Sequence, residues 1–479
     1  MRLQPLSGLL YLVPLLVIFG CANTTPTQPE IKNQLFAALQ REGLSQDALA
    51  FVAYPLTQPL QQISHQPELA MQPASTMKLL TSIVALEQLG PDYRGKTRLL
   101  SVQPPETSMA HPLVLQGMGS MDFTVQELWY LLKQAYDQGI RHVPAILVDR
   151  HWLTPARPEL TALPFDETPR QYYNLLPDAL FLQRNMLGVR LQSGSDSVHG
   201  ALFPVIQGLE LLTSEVTLTD DSCASWYPDS ERLAFKRQPD KLQLILQIEF
   251  PKNCQKQHYL QLINRADFTR LLVQQLWQDI SGQAQVPVLE QQGSGATVLL
   301  AEHQSRTLAE LLREMNKSSD NAVTRLLYLS LGAQTSAGTA ETAGLAEQQV
   351  RHFLTEAQLD ADSLQLENGS GLSRTEKISP QLMASLLQHA YQAPYQPELL
   401  ASLPLAGTDG TLKRRLTQAE TKGKARLKTG TLRNVVALAG YVTDRSGRTW
   451  VVASFINHPN AGRGRPVLDQ LIEWIATQK

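Results

Sequence analysis

Apolar residues recur at helical spacing near the N-terminal end of the chain. The pattern predicts a helix over 31–42 and a short strand over Ala50–Leu56. A second helix is predicted over 75–89, where the Gly90-Pro91 pair ends it. The apolar positions that form the buried face of this helix are Leu79, Leu80, Ile83, Val84 and Leu86.

The pattern changes beyond Pro91. Residues 96–290 contain many prolines, short β-like runs such as Leu242–Phe250 and turn clusters such as 219–222. The helical pattern then returns at two places, which are 307–315 and 321–330.

The C-terminal part predicts a hairpin followed by a helix. Val435–Val442 and Trp450–Ile456 are β-rich runs, and the sequence Asp444-Arg445-Ser446-Gly447 between them favours a turn. The last helix is predicted over 466–477. Helices at both ends and a C-terminal hairpin indicate one α/β domain built from both ends of the chain, with the middle as an insertion.

The N-terminus predicts export. Arg2 precedes an apolar run, Leu9 to Phe19, that is too short to span a bilayer, so residues 1–20 are predicted to be a signal peptide. The stretch 18–21 (Ile-Phe-Gly-Cys) resembles a bacterial lipobox, in which Cys21 becomes the lipidated first residue of the mature chain. An ordinary signal peptide with an incidental cysteine is the alternative.

The residues after Cys21 predict how the chain is held. Residues 21–33 are polar and contain two prolines, which is the composition of a tether. Ala22, not aspartate, follows the cysteine, and by resemblance to lipoprotein sorting this favours the outer membrane. We therefore expect a periplasmic, lipid-anchored protein.

Composition excludes several classes of function. The chain has 479 residues, 43% hydrophobic and 18% charged, which is the balance of a globular protein with sizeable cores. The net charge of −2 lacks the basic excess of nucleic-acid binders, so no nucleic-acid partner is expected. No internal apolar stretch reaches the ~18 residues of a membrane span. The histidines show no metal-ligand spacing and no nucleotide-binding fingerprint occurs, so neither a metal nor a cofactor is expected.

The chain has three cysteines. If Cys21 carries lipid, Cys223 and Cys254 remain, and a disulfide between them suits an oxidising compartment. Two reduced, buried thiols are the alternative.

Three short motifs indicate serine chemistry. They are Ser75-Thr76-Met77-Lys78, Ser319-Asp320-Asn321 and Lys428-Thr429-Gly430. This trio, in this order, is typical of penicillin-binding proteins and class A β-lactamases. One such motif alone is weak, because S-x-x-K is expected by chance in a chain of this size.

The residue types suit nucleophilic catalysis. Ser75 and Lys78 share a helix face, and a serine hydroxyl needs an adjacent base at neutral pH. Lys78 can be that base if burial or a second cation depresses its pKa, and Lys428 is the natural second cation. Ser75 also lies near the positive end of the helix dipole. The alternative is that Ser75 only caps the helix and Lys78 is solvated.

The surroundings of the motifs resemble the D-alanyl-D-alanine carboxypeptidase/endopeptidase family, the low-molecular-mass class C penicillin-binding proteins of peptidase family S13. The segments that carry the resemblance are 73–81, 315–321, 368–373, 403–412, 426–431, Tyr173-Asn174 and Arg184-Asn185. The 241 positions from Lys78 to Ser319 also resemble this family, which carries two extra domains there. The stretch 117–122 departs from the family's usual G-G-G-D-P run.

The resemblance implies a fold and a division into domains. The fold is α/β (α+β), a β-lactamase/transpeptidase-like domain whose antiparallel sheet has helices on both faces, with two β-rich domains inserted between the first two motifs. The implied ranges are 34–95 and 296–479 for the catalytic domain, 96–165 and 264–295 for inserted domain II, and 166–263 for inserted domain III.

The resemblance also implies residue roles. Ser75 forms the acyl-enzyme, and Lys78 takes its proton. Ser319 relays a proton to the leaving amine, and Asn321 binds the substrate amide. In the third motif, Lys428 lowers the pKa of Lys78 and, together with Thr429, binds the substrate carboxylate. Gly430 is a further substrate-binding residue. The backbone N–H groups of Ser75 and Thr431 form the oxyanion hole. Asp320 is expected to be structural.

We therefore expect a serine peptidase that acts on peptidoglycan. It would remove the terminal D-Ala or cut D-Ala–meso-diaminopimelate cross-links, and β-lactams would inhibit it. Two alternatives stay open: a β-lactamase or esterase on the same fold, and a non-catalytic murein-binding scaffold protein.

Overall fold

The computed structural model describes residues 28–160, 165–227, 232–238, 241–293, 295–335 and 341–479. Its helices are α1 (Gln28–Arg41), α2 (Lys78–Gln88), α3 (Val125–Asp137), α4 (Arg265–Ser281), α5 (Leu308–Ser318), α6 (Asn321–Ala333), α7 (Thr342–Glu356), α8 (Pro380–Gln392), α9 (Gln396–Ser402) and α10 (Arg465–Thr477).

The strands are short in the middle of the chain and long at its C-terminal end. They are β1 (Leu49–Pro55), β2 (Ile63–His65), β3 (Lys96–Ser101), β4 (Leu113–Met118), β5 (Ile146–Asp149), β6 (Leu187–Ser193), β7 (Val198–Phe203), β8 (Leu209–Leu212), β9 (Thr217–Thr219), β10 (Leu233–Arg237), β11 (Leu242–Leu246), β12 (Glu249–Pro251), β13 (Gln255–Leu260), β14 (Val288–Glu290), β15 (Val298–Gln304), β16 (Ala425–Leu432), β17 (Val435–Thr443) and β18 (Thr449–Asn457).

Both ends of the chain build one antiparallel sheet. Its strand order is β16-β17-β18-β1-β2, so the N-terminal strand β1 lies beside the C-terminal strand β18, with Val52 opposite Ala453. This pairing confirms the predicted hairpin and the predicted union of the two ends.

Both faces of this sheet are covered by helices. Along β17, Leu438 packs in a core that contains α1 and α10, whereas its neighbour Ala439 packs in a core that contains α2, α5, α6 and α8. Successive strand residues point to opposite faces, which is why β17 is apolar throughout instead of alternating. Helix α2, which begins with Lys78 of the S-x-x-K motif, therefore lies in the larger of the two cores.

A second sheet has the order β14-β5-β4-β3-β15 and packs against α3 and α4. Strand β15 pairs antiparallel with β3, which places residues 298–304 in this sheet. That range was predicted to belong to the catalytic domain, so the structure moves this strand across the expected boundary. The cause is backbone pairing between distant segments, which local patterning does not encode.

Smaller sheets fill the segment between β5 and α4. The predicted run Leu242–Phe250 is two strands: β11 pairs with β8 and β10, whereas β12 pairs with β9. The predicted disulfide between Cys223 and Cys254 is present in this region, with a Cα–Cα separation of 5.5 Å. Cys254 is buried in the core of the inserted segment.

The structure tests only part of what the sequence predicts for the N-terminus. The predicted tether over 21–33 is wrong for residues 28–33, because α1 begins at Gln28 and buries Ile31 and Leu35 against the sheet. Pro29 is compatible with this, since proline is tolerated in a first helical turn. The signal peptide and Cys21 lie outside the described residues. None of the helices that the structure describes is long and apolar enough to cross a membrane.

Candidate active site

Ser75 sits in a tight turn at the start of α2. The predicted helix over 75–89 begins with a 3₁₀ turn, Ala74–Met77, and becomes α-helical only at Lys78. Two glycines pack directly on this turn: a Cβ at Gly371 would lie 1.9 Å from the Ala74 carbonyl oxygen, and one at Gly430 would lie 2.6 Å from the Pro73 carbonyl oxygen. The absence of a side chain at Gly371 and Gly430 thus lets two distant segments pack directly against the backbone beside Ser75.

Lys78 is fully buried and has three partners. Its Nζ lies 3.1 Å from Ser75 Oγ and donates to Asn321 Oδ1 and to the Ser370 carbonyl oxygen, both at 2.6 Å. Burial lowers the pKa of Lys78 to about 7, although the negative charges of Asp320 and Glu376 oppose this shift. A lysine with such a pKa can accept a proton near neutral pH.

Lys428 is the second buried lysine. It donates to Ser319 Oγ at 2.9 Å and to the Thr429 carbonyl oxygen at 3.0 Å. Burial, followed by repulsion from Lys78, holds the pKa of Lys428 well below its usual value. Burial is therefore the main cause of both shifts. Repulsion between the lysines contributes to the lowered pKa of Lys428, whereas the second cation that lowers the pKa of Lys78 is Arg325.

The S-D-N motif forms the junction between α5 and α6. Ser319 closes α5 in a left-handed conformation (φ 63°), and Asp320 caps α6 by accepting from the Val323 N–H at 3.1 Å. Asn321 Nδ2 donates to the Tyr173 carbonyl oxygen at 3.1 Å. The turn therefore points Ser319 at Lys428 and Asn321 at Lys78, and Asp320 has the helix-capping contact expected of a structural residue.

The K-T-G motif lies on β16 at the edge of the main sheet. Thr429 Oγ1 donates to Thr411 Oγ1 at 2.7 Å, which brings in the loop before β16. Thr431 lines the same cavity as Ser75, Ser319 and Asn321. All three motifs, predicted from separate parts of the sequence, thus meet at one place.

Sequence reasoning did not assign two contributors to the site. The Ser370 carbonyl holds Lys78, and the Glu376 carboxylate supports the loop that presents this carbonyl. Glu376 is 1% exposed and accepts backbone N–H bonds from Asn368 at 2.9 Å, Gly369 at 2.7 Å and Gly371 at 2.8 Å. Burial raises the pKa of Glu376, and these N–H donors oppose the shift. The 368–373 segment resembled the family pattern, but Glu376 carried no local signal.

The motifs open into a cavity of about 480 Å³. Beyond the motif residues its lining carries both signs of charge, from Asp166, Glu167, Arg374 and Arg433. Asp166 is held by the Tyr173 hydroxyl and by Asn174 Nδ2, both at 2.7 Å. Across the part of the chain that the structure covers, no group of three or more His, Cys, Asp or Glu side chains is placed to hold a metal ion.

The architecture and the site together define a class. An antiparallel sheet with helices on both faces, with a serine–lysine pair at the start of one helix, is the β-lactamase/transpeptidase-like fold. The structure resembles penicillin binding protein 4 (dacB) from Haemophilus influenzae with a TM-score of 0.72 at 22% identity, covering 91% of this chain and 99% of that one. The same protein complexed with a β-lactam gives a TM-score of 0.71 at 22% identity, covering 92% and 99%.

Sequence comparison gives the family. The profile of the D-Ala-D-Ala carboxypeptidase 3 (S13) family matches residues 31–478, and the chain belongs to that family. It is 27% identical over 410 residues to a D-alanyl-D-alanine carboxypeptidase from Actinomadura sp., covering 81% of this chain and 74% of the relative. It is 26% identical over 412 residues to the D-alanyl-D-alanine carboxypeptidase DacB from Haemophilus influenzae, covering 81% of each.

Proposed function

We propose that this carboxypeptidase-family protein is a serine peptidase that cleaves D-Ala-D-Ala ends and cross-links of peptidoglycan through an acyl-enzyme on Ser75. The observation that carries the proposal is the contact of 3.1 Å between Ser75 Oγ and the buried Lys78 Nζ, with Ser75 itself lining the cavity. A hydroxyl becomes an effective nucleophile when a base of suitable pKa is within hydrogen-bond reach.

The first step is acylation. Neutral Lys78 takes the Ser75 proton while Oγ attacks the carbonyl carbon of the penultimate D-Ala. Backbone N–H groups of Ser75 and Thr431 would stabilise the oxyanion. As the C–N bond breaks, the leaving amine receives a proton through Ser319, whose hydroxyl contacts Lys428. Water then hydrolyses the ester and restores Ser75.

The substrate itself would set the charge of the two lysines. A carboxylate arriving at Lys428 and Thr429 stabilises the ammonium form of Lys428. Positive charge on Lys428 disfavours a proton on Lys78, because the two groups repel each other inside the protein. Binding of a C-terminal carboxylate therefore leaves Lys78 neutral, in the form that a general base requires.

The charge of the cavity suits a stem peptide. Asp166 and Glu167 can meet an amino group, whereas Arg374 and Arg433 can meet a carboxylate. The free end of meso-diaminopimelate carries both groups on one carbon. Such an end lies beside the cleaved D-Ala both in an uncross-linked stem peptide and on the donor side of a cross-link, so the two pairs of charges support action on stem peptides that contain diaminopimelate.

The site of action is part of the proposal. An exported chain anchored by acylated Cys21, by preference in the outer membrane, would meet peptidoglycan in the periplasm. Several acyl chains hold a protein stably at a membrane, whereas one holds it weakly. Wild-type protein should fractionate with membranes and a Cys21→Ser variant should be released by periplasmic extraction; wild type released in the same way contradicts the anchor.

One experiment tests the chemistry. Intact-protein mass after incubation with penicillin should show one adduct, and peptide mapping should place it on Ser75. Ser75→Ala should abolish the adduct. Ser318→Ala is the matched control, because Ser318 is exposed and its hydroxyl only donates to the Glu314 carbonyl oxygen.

The outcomes separate the alternatives. Purified protein should also release D-Ala and cleave dimeric muropeptides, with products separated by mass. Rapid hydrolysis of penicillin without a lasting adduct would indicate a β-lactamase. No adduct, no hydrolysis of penicillin and no muropeptide product would indicate a non-catalytic binding protein.

A further inference from the structure

Arg184 lies in an unusual stretch of backbone. Gln183, Arg184 and Asn185 have φ values of 49°, 55° and 54°, so three consecutive non-glycine residues are left-handed. This conformation is costly for residues with a Cβ and persists only where surrounding contacts fix it. Two such contacts are present: the Gln183 N–H donates to the Phe123 carbonyl oxygen at 2.7 Å, and Asn185 Nδ2 donates to Asp178 Oδ2 at 3.0 Å.

The strained turn delivers the Arg184 guanidinium to the S-D-N motif. Nη1 donates to Asp320 Oδ2 at 2.8 Å, and Nη2 donates to Glu314 Oε1 at 2.6 Å. The Tyr172 hydroxyl donates to the same Asp320 oxygen. The Asp320 side chain is only 1% exposed, so the hydrogen bonds from Arg184 and Tyr172 replace contacts with water that this carboxylate lost on burial.

Asp320 separates the two motif residues that touch the lysines. Ser319 precedes it and contacts Lys428, and Asn321 follows it and contacts Lys78. A rotation of the Asp320 backbone would therefore move both contacts together. Asp320 Oδ1 accepts the hydrogen bond that caps α6, and Arg184 binds Oδ2. With both oxygens bound, the Asp320 side chain cannot rotate without breaking one of these contacts.

The same pair adjusts the field at Lys78. The charged groups that shift the pKa of Lys78 are Asp320 and Glu376, which raise it, and Arg325, which lowers it. The neighbouring Lys428 has its own pKa lowered by Lys78. Arg184 forms an ion pair with Asp320, the acid with the larger effect on the pKa of Lys78. Without Arg184, the Asp320 charge would act on Lys78 undiminished and favour its protonated, non-basic form.

We propose that Arg184, with Tyr172, is a positioning residue: a side chain from the middle segment that locks the Ser319-Asp320-Asn321 turn against the two catalytic lysines. The proposal rests on the proposed function, because its main readout is acylation of Ser75. It assigns to the middle segment, predicted as inserted domain III, a direct part in building the catalytic site.

The test compares two arginines that share one acid. Arg184→Met removes the contact with Asp320. Arg306→Met is the matched control, because Arg306 pairs with Glu314 and Asp122 at 2.9 Å each but does not touch Asp320. The rate of acylation by a fluorescent penicillin is measured from pH 5.5 to 9.5. Arg184→Met should acylate about tenfold to a hundredfold more slowly at pH 7, and its activity should rise only at higher pH than in wild type.

The control variant and two conservative substitutions show whether the effect comes from the contact between Arg184 and Asp320. Arg306→Met should stay within about twofold of wild type with an unchanged pH profile, as expected of a surface pair. Tyr172→Phe should shift the profile in the same direction as Arg184→Met but less. Arg184→Lys should restore part of the rate. Melting temperatures of all variants show whether a slow variant is folded.

A double-mutant cycle of Arg184→Met and Asp320→Asn, with the melting temperature as the measured quantity, tests the contact without relying on catalysis. The two changes should be non-additive, whereas Arg306→Met and Asp320→Asn should be additive. Wild-type rate and pH profile in folded Arg184→Met, or additive melting effects in the first cycle, would overturn the inference. If wild type itself is not acylated, the proposed function fails, and the cycle alone then decides whether Arg184 holds the turn.

Discussion

The Ser370 carbonyl oxygen accepts a hydrogen bond from Lys78 Nζ at 2.6 Å, although the two residues are 292 positions apart in the chain. This carbonyl, together with Asn321 Oδ1, fixes the amine so that Ser75 Oγ is its third neighbour. This hydrogen bond is a tertiary contact, because the loop of Ser370 and the helix of Lys78 come together only in the folded protein.

The first prediction follows from the pKa of Lys78. With this pKa lowered to about 7, the amine is an ammonium below pH 7 and has no lone pair to accept the Ser75 proton. Acylation by penicillin should therefore be slow at pH 5.5, rise through pH 7 and level off above it. Lys78→Ala should slow acylation ~10²–10⁴-fold above pH 7, and should remove the rise in rate through pH 7. Exposed Lys413→Ala should behave as wild type; a wild-type rate that falls between pH 6 and 8 would contradict Lys78 as the base.

The second prediction concerns Gly371. Its φ of +78° and its contact with the Ala74 carbonyl oxygen leave no room for a Cβ, so Gly371→Ala must displace the turn that carries Ser75. We expect loss of penicillin labelling and a clear fall in melting temperature. Gly43→Ala is the control, because Gly43 has a similar φ of +72° with nothing within 4 Å of its Cβ. That variant should lose only about 1 kcal/mol of stability and keep full labelling.

The third prediction concerns Glu376. Glu376→Gln replaces a carboxylate oxygen by an amide NH₂ that cannot accept the N–H bonds of the 368–371 loop. The free energy of unfolding should fall by roughly 2–4 kcal/mol, and acylation should slow because the Ser370 carbonyl is no longer held. Glu367→Gln is the control, since Glu367 is exposed and its carboxylate accepts hydrogen bonds from the hydroxyls of Ser373 and Thr375. Equal stability of the two variants would show that the loop does not depend on the buried charge.

The fourth prediction separates the disulfide from catalysis. Cys223 and Cys254 close a loop of 31 positions, so the double Cys→Ser variant should lose ~3–4 kcal/mol in the chain-entropy model. Neither cysteine lines the cavity of Ser75. Thermal unfolding should therefore move to lower temperature while the acylation rate at 25 °C stays that of wild type. A parallel loss of acylation would mean that the disulfide supports the active site.

Local patterning predicted much of the catalytic part. The helix of Lys78, the C-terminal hairpin and the final helix follow from apolar spacing and turn residues, and the structure has them within a few residues. The start of the helix differs from the prediction, because Ser75 lies in a 3₁₀ turn against which Gly371 and Gly430 pack. Contacts across the fold set that turn, and they leave no periodic trace in the sequence.

The middle of the chain was less predictable. Strand β15 joined the second sheet instead of the catalytic domain, and one predicted run became the two strands β11 and β12 with different partners. Strand pairing depends on which distant backbone is free to bond, so short apolar runs do not identify their partners. The domain boundaries therefore stay predictions, apart from the strand that the pairing reassigns.

What the sequence by itself determined was the chemistry: three motifs whose residue types suit a serine nucleophile, a lysine base and a carboxylate-binding strand. The tertiary structure decided the pKa values of the lysines and the contacts that orient the motif residues. Burial of Lys78 and Lys428 lowers their pKa, Glu376 holds the carbonyl that orients Lys78, and Arg184 reaches Asp320 from 136 positions away. These effects depend on desolvation and on distances between remote segments, and both come into being only when the chain folds.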